Sequence, residues 1–167
     1  MRQLSSRSDE CRANLADYHL KWVARVVLRP LGAFYSVHED DLAAVPISGH
    51  GVYVFCRQYG RTNSPLYIGR SKRLRQRIRE HLERVSLVSA LAAGEPGRRI
   101  VLVARVEPRP GQCAGRVAQE VESLLIRRFR EDGFDLINER GAKRPARMVR
   151  WTGSNAYLDL IPRQMVL

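Results

Sequence analysis

Lysine is scarce in this chain, at three residues against 26 arginines, and several other things are missing altogether. No run approaches the ~20 consecutive apolar residues of a membrane-spanning helix. The opening stretch, MRQLSSRSDECRANLAD, has no apolar centre of the secretory kind. Both absences lead to the expectation of a cytoplasmic protein with no membrane partner. Cysteine is limited to Cys11, Cys56 and Cys113. This odd, widely spaced set has no CxxC pair and no thiol-rich zinc pattern, and it suits buried small residues in a reducing compartment. There is no internal repeat and no low-complexity linker. At 167 residues the chain has room for one domain with a real core, but not for two comfortable ones.

Acidic residues are short in only one part of the chain. Residues 1–50 carry six of each sign and residues 151–167 one of each, whereas 51–150 carry 22 basic against 10 acidic residues. The whole net charge of +12 therefore sits in that middle stretch. A field so concentrated attracts and steers polyanions, which makes nucleic acid the default partner. The arginine bias suits a bidentate grip on phosphate. A GC-rich genome produces the same bias, so it carries little weight.

Hydropathy patterning gives a coarse set of elements. Residues 5–28 read as a helix with an apolar stripe of Leu15, Leu20, Val23, Ala24 and Val27, ended by Arg29-Pro30. HEDDLAAVPISGHG reads as an acidic approach loop. Residues 51–57 and 65–69 are short strands joined by RQYGRTNSP, a hairpin turn rich in turn formers. Ser71 is a fair N-cap for a helix from Lys72 to about Val85. Arg98 to Val106 is a third strand closed by PRPG, and 114–131 is a long helix. GFDLINERGAKRPARMVRW reads as a basic, irregular tail. Three strands with helices packed on them predict a small α+β domain. The expected organisation is an N-terminal helical extension (1–50), a core (51–140) and a basic C-terminal tail (141–167) on or beside it.

Two helices carry the chemistry. In LRQRIREHLERV, Leu74, Ile78, Leu82 and Val85 form an apolar seam. Arg79 with Glu83, and Glu80 with Arg84, read as i, i+4 surface pairs. Arg73, Arg77 and His81 read as a row of their own with no acidic partner. Lys72 stands in the first turn, where the helix dipole disfavours a cation. A solvated charged face is the ordinary explanation, but a phosphate docked at this helix N-terminus would satisfy both features. In AGRVAQEVESLLIRRFRED, Glu120 has arginine neighbours and reads as solvated. Glu122, with Ala118 at i−4 and Ile126 at i+4, reads as part of an apolar stripe. A carboxylate there is paired inward with an arginine or holds a metal, and magnesium needs only one or two carboxylates beside waters and phosphate oxygens.

GVY at 51–53, YIG at 67–69, Arg77, His81, the glutamate of ESLLI and Asn138 in LIN together resemble the GIY-YIG nuclease superfamily. The resemblance covers residues 51–138 and keeps the order of six elements. It implies a three-stranded antiparallel sheet flanked by helices. It also implies roles position by position. Tyr53 and Tyr67 match the motif tyrosines, one of which helps to deprotonate the attacking water. Arg77 matches the arginine on the scissile phosphate, and His81 the polar residue one turn further on. Glu122 matches the single metal-binding glutamate, for one Mg2+ or Mn2+ ion, and Asn138 the asparagine that closes the site. The implied reaction is hydrolysis of double-stranded DNA to 5′-phosphate and 3′-hydroxyl ends. Read from residue type alone, the tyrosines also suit cross-strand packing, and Asn138 also suits a turn.

Further phosphate contacts are expected from Arg70, Lys72 and Arg73, and from Lys143, Arg144, Arg147 and Arg150 in a tail that also holds Trp151. One catalytic domain without an appended DNA-binding module points to a restriction, phage or mobile-element enzyme. Cutting both strands would favour a homodimer or two sequential nicks. A non-catalytic nucleic-acid-binding module on the same scaffold is the competing expectation. The string His81-Leu82-Glu83-Arg84 also has the H-x-x-R form seen in tyrosine recombinases.

Overall fold

The structure, a computed structural model, describes residues 17–138, 148–153, 160–161 and 164–166. In YHLKWVARVVLRPL the residues Tyr18, Leu20, Trp22, Ala24, Val26 and Leu28 are all buried, a period of two. That alternation, in a segment rich in valine, makes β1 (Tyr18–Leu31) a strand. The helix expected over residues 5–28 is therefore replaced by a strand from residue 18, and its earlier part lies outside the described residues. A tight turn with Gly32 at φ 60 leads into β2 (Phe34–Val37). The expected acidic loop holds a short helix, α1 (Glu39–Ala43), whose end carbonyls at Ala43 and Val45 accept from the guanidinium of Arg75.

The next two strands, β3 (Gly51–Tyr59) and β4 (Thr62–Ser71), run longer than their patterning suggests. They leave a turn of only Gly60 and Arg61, with Gly60 at φ 58. Pro65 sits where a bulge shifts the β3–β4 register, one of the few places a strand tolerates it. The helix expected to run to Val85 breaks into α2 (Leu74–Leu82) and α3 (Val85–Ala93). The break returns Leu87 and Leu91 to the core begun by Leu74, Ile78 and Leu82. The strand β5 (Arg98–Val106) and the helix α4 (Ala114–Glu131) form as expected. Arg99, buried on β5, donates to the carbonyls of Leu91, Glu95 and Gly97 and ties down the end of α3. Two strands fall within the expected irregular tail, β6 (Met148–Thr152) and β7 (Gln164–Val166).

Among the described residues there are seven strands, in one sheet ordered β4-β3-β5-β1-β6-β7 with β2 paired to β1 off that path. The expected three-stranded sheet is thus only the β4-β3-β5 part, and β1 belongs to the sheet's interior. Pairings are antiparallel except β1 with β6, which is parallel. The fold class is α+β.

Central β3 is buried from Gly51 to Cys56, as expected of a strand covered on both faces. Helix α4 covers one face, over Val52, Val54, Ile100 and Leu102. Helices α1, α2 and α3 cover the other, over Tyr53, Phe55, Val101 and Val103. A bulge between Trp22 and Ala24 slips the alternation of β1 by one residue. Tyr18, Leu20 and Trp22 therefore enter the first core, and Ala24, Val26 and Leu28 the second. Cys56 is buried, Cys113 is exposed at the start of α4, and Cys11 lies outside the described residues. No helix among the described residues is long and apolar enough to cross a membrane.

Candidate active site

Register places the two motif tyrosines. Tyr53 pairs with Gly69, and Phe55 with Tyr67, so both phenols stand on the α2 side of the β3–β4 hairpin. Their rings lie nearly parallel, 6.5 Å apart. A Cβ on Gly69 would come within 2.3 Å of the Tyr53 hydroxyl and 2.4 Å of its Cζ, so the ring occupies space that only glycine leaves free. Gly51 is fixed just as firmly, because a Cβ there would meet the Ala104 carbonyl at 2.2 Å. The glycines of GVY and YIG are thus packing requirements of this hairpin.

Helix α2 brings its polar residues to the same place. Ser71 ends β4 and accepts from the backbone N–H of Arg73 at 2.9 Å, but the N-cap is Arg73 and the helix begins at Leu74, two residues later than expected. Two turns on, His81 is fully buried between the phenols, its ring 5.5 Å from that of Tyr53 and 5.1 Å from that of Tyr67. Its Nε2 lies 2.7 Å from the Tyr53 hydroxyl, and Nδ1 is buried without a hydrogen-bond partner. Burial, reinforced by Arg77 and Arg84, lowers its pKa to about 4, so the imidazole is neutral at physiological pH. Burial also pushes the Tyr53 hydroxyl well above the usual phenol range, with Tyr67 adding to it. Tyr67 is raised mainly by burial, opposed by the charges of Arg77 and Arg84.

A buried neutral histidine makes the fold acid-sensitive. The unfolded chain takes up a proton near pH 6.5 and the folded chain only near 4, so the unfolded state binds more protons between those values. The stability linked to His81 is full above about pH 6.5 and is lost as pH falls toward 4, a loss on the order of 3 kcal/mol. The expected result is a melting temperature that falls steeply over that window in wild type and much less in His81→Gln. An equal fall in both would place the acid sensitivity elsewhere.

Arg77 is not the partnerless cation that its spacing suggests. Its Nη1 binds Glu80 at 2.9 Å, the i+3 acid, and its charge acts on the Tyr53 hydroxyl. Glu80 therefore does not pair with Arg84, and Arg79 binds Glu39 rather than Glu83. Arg84 is exposed, and its charge acts on Tyr67 and His81. It lies in the break between α2 and α3, which spacing along one continuous helix does not reveal. Lys72 and Arg73 are exposed at the start of α2.

The two glutamates of α4 exchange their expected environments. Glu120 is the buried one, 3% exposed, accepting from the Tyr18 hydroxyl and from Arg116. It lies one turn from Val117 and Leu124, whereas Glu122 sits on the flank of the buried face. The Glu122 side chain is 24% exposed and accepts from Arg70 Nε at 2.9 Å. Burial raises its pKa, against the pull of Arg70 and then Arg77, and both phenols feel its charge. Arg70, expected on phosphate, is thus the ion-pair partner of Glu122, with its own side chain 43% exposed. Asn138 bonds the backbone of Ile68 with both ends of its amide, Oδ1 accepting at 3.1 Å and Nδ2 donating at 2.8 Å. With Ile137, which donates to Leu66, it covers the outer edge of β4.

Tyr53, Tyr67, Arg77 and His81 therefore gather on the α2 face of the hairpin, Asn138 braces β4, and Glu122 projects from α4, the helix on the sheet's other face, with its charge felt by both phenols. Arg150 stands apart, on β6, four strands from β4 and ion-paired with Asp17. Lys143, Arg144 and Arg147 lie outside the described residues. Among the described residues no three His, Cys, Asp or Glu side chains cluster as metal ligands would. Comparison of the chain with protein-family models, with curated proteins and with solved structures returned no match.

Proposed function

We propose that this protein is a divalent-metal-dependent endonuclease that hydrolyses DNA to 5′-phosphate and 3′-hydroxyl ends, with a site of the GIY-YIG type. The observation that carries this reading is the convergence of two phenols, a neutral histidine and Arg77 on one hairpin face, with Gly69 making room for Tyr53. Arg77 supplies a permanent charge for the scissile phosphate. Both phenols are held protonated; Tyr67, the less buried of the two, would orient the water, and Arg77 and Arg84 favour its charged form. One carboxylate beside waters and phosphate oxygens suits magnesium or manganese. Glu122 would hold such an ion, which supplies Lewis-acid stabilisation of the leaving oxygen.

The Glu122–Arg70 ion pair favours a second reading, a nucleic-acid-binding module without catalysis. Incubating supercoiled plasmid and phage DNA with magnesium or with EDTA separates the two. Magnesium-dependent nicking or linearisation is expected, with discrete fragments if the enzyme is of restriction type. Salt-sensitive binding with no cutting in any divalent ion would leave the module.

A further inference from the structure

The face of the β3–β4 hairpin that carries the two phenols continues beyond them. Along the register, Tyr53 faces Gly69, Phe55 faces Tyr67, Arg57 faces Ser64 and Tyr59 faces Thr62. Alternation keeps Tyr53, Phe55, Arg57 and Tyr59 on one side of the strand. At the far end an open cleft of about 610 Å³ is lined by Arg57, Tyr59, Thr62, Ser64, Glu95 and Pro96. A second cleft of about 450 Å³, lined by Gln58, Tyr59, Gly60, Gly97 and Arg98, adjoins it. Tyr59 borders both and is 71% exposed, an aromatic ring with open space on either side.

The charge around this ring is of one sign. Arg61 at the turn and Arg98 on β5 are exposed and form no ion pair among the described residues. The only acid lining the clefts, Glu95, is taken by Arg57. Thr62 and Ser64 add hydroxyls that suit phosphate or sugar oxygens. A protein partner seated here would meet two unpaired guanidinium groups, whereas a polynucleotide would match both charges and stack a base on the ring.

Resting on the nuclease reading above, we infer that the hairpin tip is a second nucleic-acid contact, in which Tyr59 stacks on a base while Arg61 and Arg98 hold the flanking phosphates. Six residues of strand separate Tyr59 from Tyr53, about 20 Å at the rise of a β-strand. The track between them is the row Tyr67, Ser64 and Thr62 on β4. Its effect is to fix where along a strand the cut falls.

The test uses the full chain carrying Glu122→Gln, so that substrate stays intact, with a fluorescein-labelled duplex that carries a single-stranded overhang and the same probe with bromouracil in the overhang. Adding Tyr59→Ala is expected to weaken binding about tenfold, with Tyr59→Phe near the parent. The thermal melt should not move, because the ring is exposed. Photocrosslinking is expected to attach nucleotide to the peptide that contains Tyr59. Parent-like affinity of Tyr59→Ala, or adducts confined to peptides of α2, would overturn this contact and leave the nuclease reading intact. A parent that binds no nucleic acid would overturn both.

Discussion

Glu122→Gln is expected to lower magnesium-dependent cleavage by about 10³-fold or more, with DNA affinity nearly unchanged. The amide keeps the shape of the side chain and still accepts from Arg70, so the α4–β4 contact survives. What it loses is the negative charge, on the one carboxylate whose field reaches both phenols. Because burial already disfavours the ionised carboxylate, neutralising it should leave the melting temperature level or slightly higher. The measurement is single-turnover cleavage over a magnesium titration, beside a thermal melt. Cutting at wild-type rates by a folded variant would remove Glu122 from the chemistry.

Gly69→Ala is the second large effect, and it arises from space alone. The new Cβ would fall 2.3 Å from the Tyr53 hydroxyl, closer than carbon and oxygen can approach. Tyr53 cannot swing clear, because it is buried, bonded to His81 and packed against Tyr67. Overpacking of this kind destabilises by about 1–3 kcal/mol. A displacement of the phenol by ~1 Å should cost about 10²-fold in cleavage rate. Urea denaturation and single-turnover rates read the two effects separately. The variant Tyr53→Ala supplies the control: in its background the alanine at 69 has room, so most of the destabilisation by Gly69→Ala should vanish. Full destabilisation in both backgrounds would mean that the clash lies elsewhere.

The parts legible in the sequence are those whose signal is local. The apolar run of β3, the nine residues of β5 and the apolar face of α4 each declare their element without reference to any partner. The first strand does not, because Leu20, Val23, Ala24 and Val27 fit a helical stripe while Leu20, Trp22, Ala24 and Val26 fit a strand. Only the neighbouring β5 and β6 decide between them. The site was legible as a set of residues but not as a set of partners. Arg77 finds Glu80 at i+3, Arg70 pairs with Glu122, and Glu120 rather than Glu122 takes the buried position. The Arg77–Glu80 pair was readable from i, i+3 spacing within α2, whereas the pairing of Arg70 with Glu122 depends on how α4 lies on β4, which spacing along one element does not specify. The steric need for Gly69 was likewise invisible until the register set Tyr53 opposite it.

The place of β1 between β5 and β6 has a consequence for how the protein is made. β1 is the first described strand to leave the ribosome, yet its two sheet neighbours on the main path are translated far later, with Tyr18 waiting for Val149. Until then its paired edges and the Trp22 ring, which ends stacked on Trp151 at 5.0 Å, stay open to other chains. The β2 hairpin gives the nascent strand only a short local partner at its far end, from Leu28 to Leu31. Closing so long a loop is the slow kind of folding step. The β3–β4 hairpin that carries the tyrosines pairs locally, β5 then joins it to β1, and the far edge of β1 alone waits for β6.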